Sequence, residues 1–135
     1  MNLLNLKAIG TAVALATTNP VRFTVAPRNL CIQGNFNYDS GGATVNAWVQ
    51  TTLDNAATWI DVAQFGFTTA SGRFVYNLNS QTPVTAEYTP SDGTLTGNTS
   101  KDGILGNQIR IKYQTTGTYG GASMLSIDMQ SDQVG

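Results

Sequence analysis

Residues 43–67 read ATVNAWVQTTLDNAATWIDVAQFGF. Two runs of alternating apolar and polar residues, Ala43–Thr52 and Thr58–Phe67, flank the segment Leu53-Asp54-Asn55-Ala56-Ala57. A period of two sends alternate side chains to opposite faces, which is the pattern of a half-buried strand. Asp and Asn between two such runs supply turn chemistry, so the stretch predicts a long antiparallel hairpin. Both tryptophans of the chain fall here, Trp48 before the turn and Trp59 after it. They read as core and turn anchors, with Asp54 accepting hydrogen bonds inside the turn.

Outward from the hairpin the same signal recurs. Val21–Ala26 is bounded by Pro20 and Pro27, and Asn29–Asn37 places Leu30, Ile32, Gly34 and Phe36 on one face. Arg73–Leu78, a weaker Thr85–Tyr88, Asn107–Thr115 and Ala122–Met129 follow, separated by Gly, Ser, Asn and Asp. About eight strands with hairpin-length connections predict an all-β fold, an antiparallel β-sandwich of jelly-roll-like form. Residues 89–106, TPSDGTLTGNTSKDGILG, interrupt the rhythm with two Asp-Gly turns. A loop of that length in a compact domain is usually functional or flexible. It could hold a helical turn near Ser100–Leu105. The division expected is an N-terminal arm or edge strand over 1–19 and a single sandwich domain over 20–135.

Composition narrows the chemistry. The chain has 135 residues, suited to one core, and only 11% are charged. Thr, Asn, Ser, Gln and Gly take their place, giving a neutral hydrogen-bonding surface of the kind that packs against neighbours. The net charge is −1 and there is no basic run, which argues against nucleic acid as a partner. There is no histidine, so Ser-His-Asp and Cys-His chemistry and His-ligated metals are ruled out. Residues 8–16, AIGTAVALA, are apolar but too short to span a membrane, and Lys7 sits on the wrong side of Leu3, Leu4 and Leu6 for a signal peptide. The single cysteine, Cys31, lies in Leu30-Cys31-Ile32 and reads as a buried small hydrophobe.

Other constellations fit bland roles better than chemical ones. Thr52-Leu53-Asp54-Asn55-Ala56-Ala57-Thr58-Trp59 matches an Asp-box at Thr52, Asp54, Thr58 and Trp59, with Ala56 in place of glycine. One copy in a short chain is a hairpin device, not a propeller. Asp92, Asn98, Asp102 and Asn107 offer oxygen ligands, but without calcium-loop spacing they suit turns. Asp61 sits opposite Ile60 and Val62 on its strand and reads as solvent-facing or turn-bonded. No carboxylate pair has the placement a glycosidase needs. Tyr38, Trp48, Trp59, Tyr76, Tyr88, Tyr113 and Tyr119 could form a sugar-stacking platform, but core packing of the tryptophans and sheet-surface packing of the tyrosines is the favoured reading.

The words Ile32-Gln33-Gly34-Asn35-Phe36, Trp48-Val49-Gln50-Thr51-Thr52-Leu53-Asp54, Thr58-Trp59-Ile60-Asp61-Val62-Ala63 and Phe65-Gly66-Phe67-Thr68-Thr69-Ala70 resemble small structural proteins of tailed bacteriophages. The similarity continues through Thr82-Pro83-Val84-Thr85, Asp92-Gly93-Thr94-Leu95, Lys101-Asp102-Gly103-Ile104-Leu105-Gly106 and Gly117-Thr118-Tyr119-Gly120-Gly121-Ala122. It spans roughly residues 30–129 and consists of turn and strand words. It implies a β-sandwich virion protein with no catalytic residue and no cofactor, most often a head decoration (cement) or minor capsid protein. The partners implied are the major capsid protein or other virion proteins, with a homo-oligomer on the particle and assembly in the host cytoplasm. A neck, collar or tail component is the first alternative, and a secreted carbohydrate-binding module the second. Assembly contacts are expected from the apolar arm, at Leu3, Leu4, Leu6, Ile9, Val13 and Leu15. The long loop is expected to add Leu95, Ile104 and Leu105.

Overall fold

The computed structural model describes residues 2–7 and 14–133. The strands in chain order are β1 (Asn2–Lys7), β2 (Ala16–Thr17), β3 (Val21–Arg22), β4 (Asn29–Asn37), β5 (Ser40–Gly41), β6 (Thr44–Thr52), β7 (Ile60–Phe67), β8 (Gly72–Asn79), β9 (Gln108–Thr116), β10 (Tyr119–Gly120) and β11 (Met124–Ser131). The described residues hold no helix, so the helical turn expected near 100–105 does not form. One sheet has the order β1-β11-β4-β8. The other has the order β2-β9-β6-β7, with β3 also on β9, and β5 and β10 make a small ribbon. The molecule is an antiparallel β-sandwich.

The pairings nest around the hairpin of residues 43–67. Its strands β6 and β7 pair directly; β4 pairs β8, β2 and β3 pair β9, and β1 pairs β11. The chain is therefore one long hairpin folded over on itself. Two further pairings, β4 with β11 and β6 with β9, join the nested pairs into two sheets.

Alternation explains what fills the space between the sheets. From one sheet come Leu30, Ile32, Phe36, Leu78, Leu125, Ile127 and Met129; from the other come Val45, Ala47, Val49, Phe65, Phe67, Ile109 and Ile111. The four β4 positions predicted to share a face are all buried. Gly34 is among them because Phe65 occupies its side-chain space: a Cβ there would lie 2.7 Å from Phe65 Cδ1. Phe36 bridges the sheets, 5.3 Å from the Phe67 ring and edge-on to Tyr119 at 5.4 Å.

Several expectations are revised. Of the two forms expected for the N-terminus, arm or edge strand, Asn2–Lys7 takes the second and pairs with β11. The strand expected over 21–26 is only two residues long, and 85–88 forms no strand. Cys31 is exposed, since β4 points its odd-numbered residues away from the core. Leu30 and Ile32 beside it do point inward, so an apolar triplet in a period-two element was split between faces.

Candidate functional site

The turn of the central hairpin is built as its residue types require. Asp54 Oδ1 accepts the Thr58 N–H at 2.7 Å and the Thr52 hydroxyl at 3.0 Å, while Thr52 Oγ1 accepts the Ala56 N–H at 3.0 Å. These bonds close the loop from within. The hydroxyl and amide of Thr58 hold the Asp54 carboxyl below its ordinary 3.8. Ala56 stands at φ 71°, in the left-handed region where the Asp-box carries glycine. Asp54 is thus a turn anchor, as its place in the sequence suggested.

The tryptophans behave differently from expectation. Both are buried, but neither belongs to the cluster between the sheets. They lie on the other side of the β2-β9-β6-β7 sheet, the face that residues 88–101 cross as a strap. Trp48 Nε1 donates to the Leu95 carbonyl at 2.8 Å. Trp59 lies under the Arg110 guanidinium, whose carbon is 4.1 Å from the ring centroid. One side of the sheet is closed by the second sheet and the other by the strap.

Asp61 is the centre of the strap's attachment. It is fully buried, although it stands on the face opposite the core. Its carboxylate accepts the consecutive N–H groups of Gly93, Thr94 and Leu95 at 2.8–3.1 Å, the Ser91 hydroxyl at 3.1 Å and Gln50 Nε2 at 2.8 Å. Three successive amides converging on one anion form a nest, an arrangement that favours negative charge. The backbone adds to it: Asp61 N–H donates to Ser91 O, and the Tyr88 hydroxyl donates to Asp61 O, both at 2.8 Å.

Gln50 passes the interaction outward. Its Nε2 also donates to Asp92 Oδ1 at 2.7 Å, and its Oε1 accepts Arg110 Nε at 2.7 Å. Asp92 in turn meets Lys112 Nζ at 3.0 Å and Arg110 at 3.7 Å. Burial opposes the Asp92 charge. The bonds from Gln50 and Lys112, with the charges of Lys112 and Arg110, outweigh it and leave the carboxyl below its usual range. For Arg110 the balance goes the other way, and burial lowers its affinity for the proton despite Asp92 and Asp61.

Farther along, the strap runs beside β7 and takes up its edge. Gln64 N–H donates to Thr99 O, Lys101 N–H donates to Val62 O, and Gly66 N–H donates to Asn98 Oδ1. Gln64 Oε1 accepts the Asn98 N–H at 2.8 Å. The strap therefore works as an added, irregular strand. Its outer surface carries a groove of about 600 Å³ lined by Tyr88, Ser91, Thr94, Thr96, Thr99 and Lys101 among others. These are hydroxyls, one aromatic edge and one ammonium, with Lys101 Nζ 5.6 Å from the Tyr88 ring centre. Such a lining can hydrogen-bond a neutral polar ligand. The Ser91 hydroxyl in it donates to Asp61, whose carboxylate also accepts from Gln50, Gly93, Thr94 and Leu95.

Those of the expected assembly residues that are described stand in different settings. Leu105 is buried in the inter-sheet core, which removes it as a contact residue. Leu95 and Ile104 are half-buried, Leu3 packs against the core, and Leu15 is exposed. Ile9 and Val13 lie outside the described residues, and of Leu4 and Leu6 only the backbone pairing with Ile127 and Leu125 is described. Three of the four oxygen side chains weighed for calcium are engaged elsewhere: Asp92 meets Gln50 and Lys112, Asn98 accepts from Gly66, and Asp102 accepts from Asn79, Thr82 and Gly103. Among the described residues no group of three acidic, Cys or His side chains gathers as a metal site. The tyrosines scatter: Tyr119 is in the core, Tyr76 lies on Phe65, and Tyr88 begins the strap and bonds to Asp61 O.

Gln50, Asp61, Gln64, Asp92, Arg110 and Lys112 did not stand out in the sequence as one network. The available signal was an aspartate inside the apolar run Trp59-Ile60-Asp61-Val62, together with a Ser-Asp-Gly turn in an unusually long loop. No protein-family model, curated protein or solved structure matches this chain.

Proposed function

We propose that this protein is a non-enzymatic virion component, a capsid decoration or minor capsid protein that binds a phage head. The observation that supports this most is the nested pairing of strands around one hairpin. We read that order as a jelly roll, an architecture shared by capsid and lectin domains. The clamped strap fits the same reading. It converts the longest loop into a fixed surface, so that a contact made there costs little ordering entropy. Such a surface, poor in charge and rich in hydroxyls and amides, suits packing against neighbouring subunits. The resemblance of residues 30–129 to phage structural proteins points the same way.

Copy number on purified particles tests the proposal. Quantitative mass spectrometry should find the protein in proportion to the major capsid protein. A stoichiometry of a dozen or fewer per particle would move it to the neck, collar or tail. Absence from particles would reject the virion reading altogether. A second reading, a carbohydrate-binding module, is favoured by one feature, the hydroxyl-lined groove beside Tyr88 and Lys101. Retention on polysaccharide columns that is lost in Tyr88→Ala would support that reading instead.

A further inference from the structure

The sandwich has four sheet edges, and their treatment differs. The β7 edge is taken up by the strap. The opposite edge of the same sheet consists of β2 and β3, two residues each, separated by Pro20. In the other sheet, the β1 pairing slips register between Asn2 and Leu4, and the strand ends in Lys7. Short strands, irregular register and edge lysines are the usual ways of preventing edge-to-edge association. β8 has none of them. Its eight residues pair with β4 in unbroken register, and it contains neither proline nor lysine.

The alternation of the ladder identifies the free groups. Ser80 N–H donates to Arg28 O, continuing the register in which Asn79 faces Asn29. In an antiparallel pair, residues that bond to the partner alternate with residues that bond away from it. Even-numbered residues of β8 therefore bond to β4, and Arg73, Val75, Asn77 and Asn79 direct their backbone groups outward. The Asn79 N–H donates to the Asp102 carboxylate, which caps that end. Among the described residues, the outward set left without a strand beside it is Arg73, Val75 and Asn77. Phe74 and Val75 point to opposite faces and are 46% and 62% exposed; one side of the Phe74 ring stacks on Phe67 at 5.5 Å, and the rest of it stays open at the edge.

We infer that β8 is a homodimerisation edge, joining two copies about a two-fold axis through Val75. Antiparallel pairing about a two-fold axis is self-complementary, and three free outward residues put the axis on the middle one: Val75 faces its own copy, and Arg73 faces Asn77 on each side. All outward groups are then used, in about six hydrogen bonds. No like charges oppose each other. Phe74 and Tyr76 become cross-strand neighbours, a favourable aromatic pair that covers the exposed part of Phe74. Two-fold isologous contact is the commonest way for identical chains to associate. The result is a continuous eight-stranded sheet. The inference does not depend on the proposed virion role.

Sedimentation equilibrium across a concentration series tests it. The wild-type chain should rise from 14.3 kDa towards twice that mass. Val75→Pro removes an outward N–H that β4 does not use, a substitution edge strands tolerate. It should leave the circular dichroism unchanged and abolish the dimer. Val75→Lys, at an exposed side chain, should do the same by placing two ammonium groups on the axis. It keeps the test valid should the proline variant fail to fold. In a Cys31→Ser background, a mixture of Arg73→Cys and Asn77→Cys chains should cross-link on oxidation, while neither alone should. A wild-type chain that stays at the single mass throughout would overturn the inference. So would a dimer that survives Val75→Lys or cross-links in another register.

Discussion

Replacing Asp61 by Asn changes one atom and removes one charge, yet it should loosen the whole strap. The carboxylate takes five donors, from Gln50, Ser91, Gly93, Thr94 and Leu95. An Asn can turn its carbonyl towards Ser91 and the three amides, but its NH2 then faces Gln50 Nε2. Gln50 cannot rotate to answer, because its oxygen is held by Arg110 Nε and its nitrogen by Asp92. A pair of buried donors is left facing each other at a cost of about 1–3 kcal/mol, and the surviving bonds drop from charge-assisted to neutral strength. Bonds sharing one acceptor are not additive, so we take about 3 kcal/mol in all. For a chain of this size that corresponds to a fall in melting temperature of roughly 10 °C. Calorimetry measures the fall, and amide exchange at Gly93, Thr94 and Leu95 localises it: these amides should lose protection before those of β6 and β9. If the variant melts within about 3 °C of wild type and the three amides remain protected, the strap is held by something other than Asp61.

Three further outcomes follow from the same geometry. Gly34→Ala should destabilise by about 1–3 kcal/mol, because its methyl enters the space of the Phe65 ring, and Phe65→Leu in the same chain should recover part of the loss in denaturant titrations. Ala56→Gly should stabilise by about 1 kcal/mol, since an exposed alanine at positive φ is strained where glycine is not, and an unchanged urea midpoint would contradict this. Asp54, Asp92 and Asp102 all titrate below 3.8 when folded, through bonds from Thr58, from Gln50 and Lys112 against burial, and from the Asn79 amide respectively. The unfolded chain therefore binds protons more readily, so stability conferred above about pH 4 is lost as the pH falls through the folded values. Melting curves from pH 6 down to pH 2 should show that decline, and Asp92→Asn with Asp102→Asn should make it shallower.

The elements were largely legible because period-two alternation is a local property. β4 was read with its observed limits, and β6, β7, β9 and β11 to within two residues. The Asp54 turn was legible for the same reason, since all its bonds lie within residues 52–58. Cys31 was misread because apolar neighbours outweighed its place in the alternation. Trp48 and Trp59 were assigned to the wrong side of the sheet, and Asp61, read as solvent-facing or turn-bonded, proved to be turn-bonded and buried, because a strand's polar face is assumed to be wet. That assumption fails when a segment some thirty residues away lies across it, and nothing near Asp61 in the sequence says that Gly93 to Leu95 will arrive.

The sequence by itself determined an all-β chain, the hairpin at 43–67, the inward residues of the long strands and a surface poor in charge. Each is written in spacing and composition, which need no knowledge of what the chain meets. Only the tertiary structure decided which strands pair across long separations. It also turned the longest loop into a strap over a buried carboxylate, took up the β7 edge and left the edge of β8 open. Those outcomes depend on contacts between residues far apart in the chain, whose free energy exists only once both partners have been brought together.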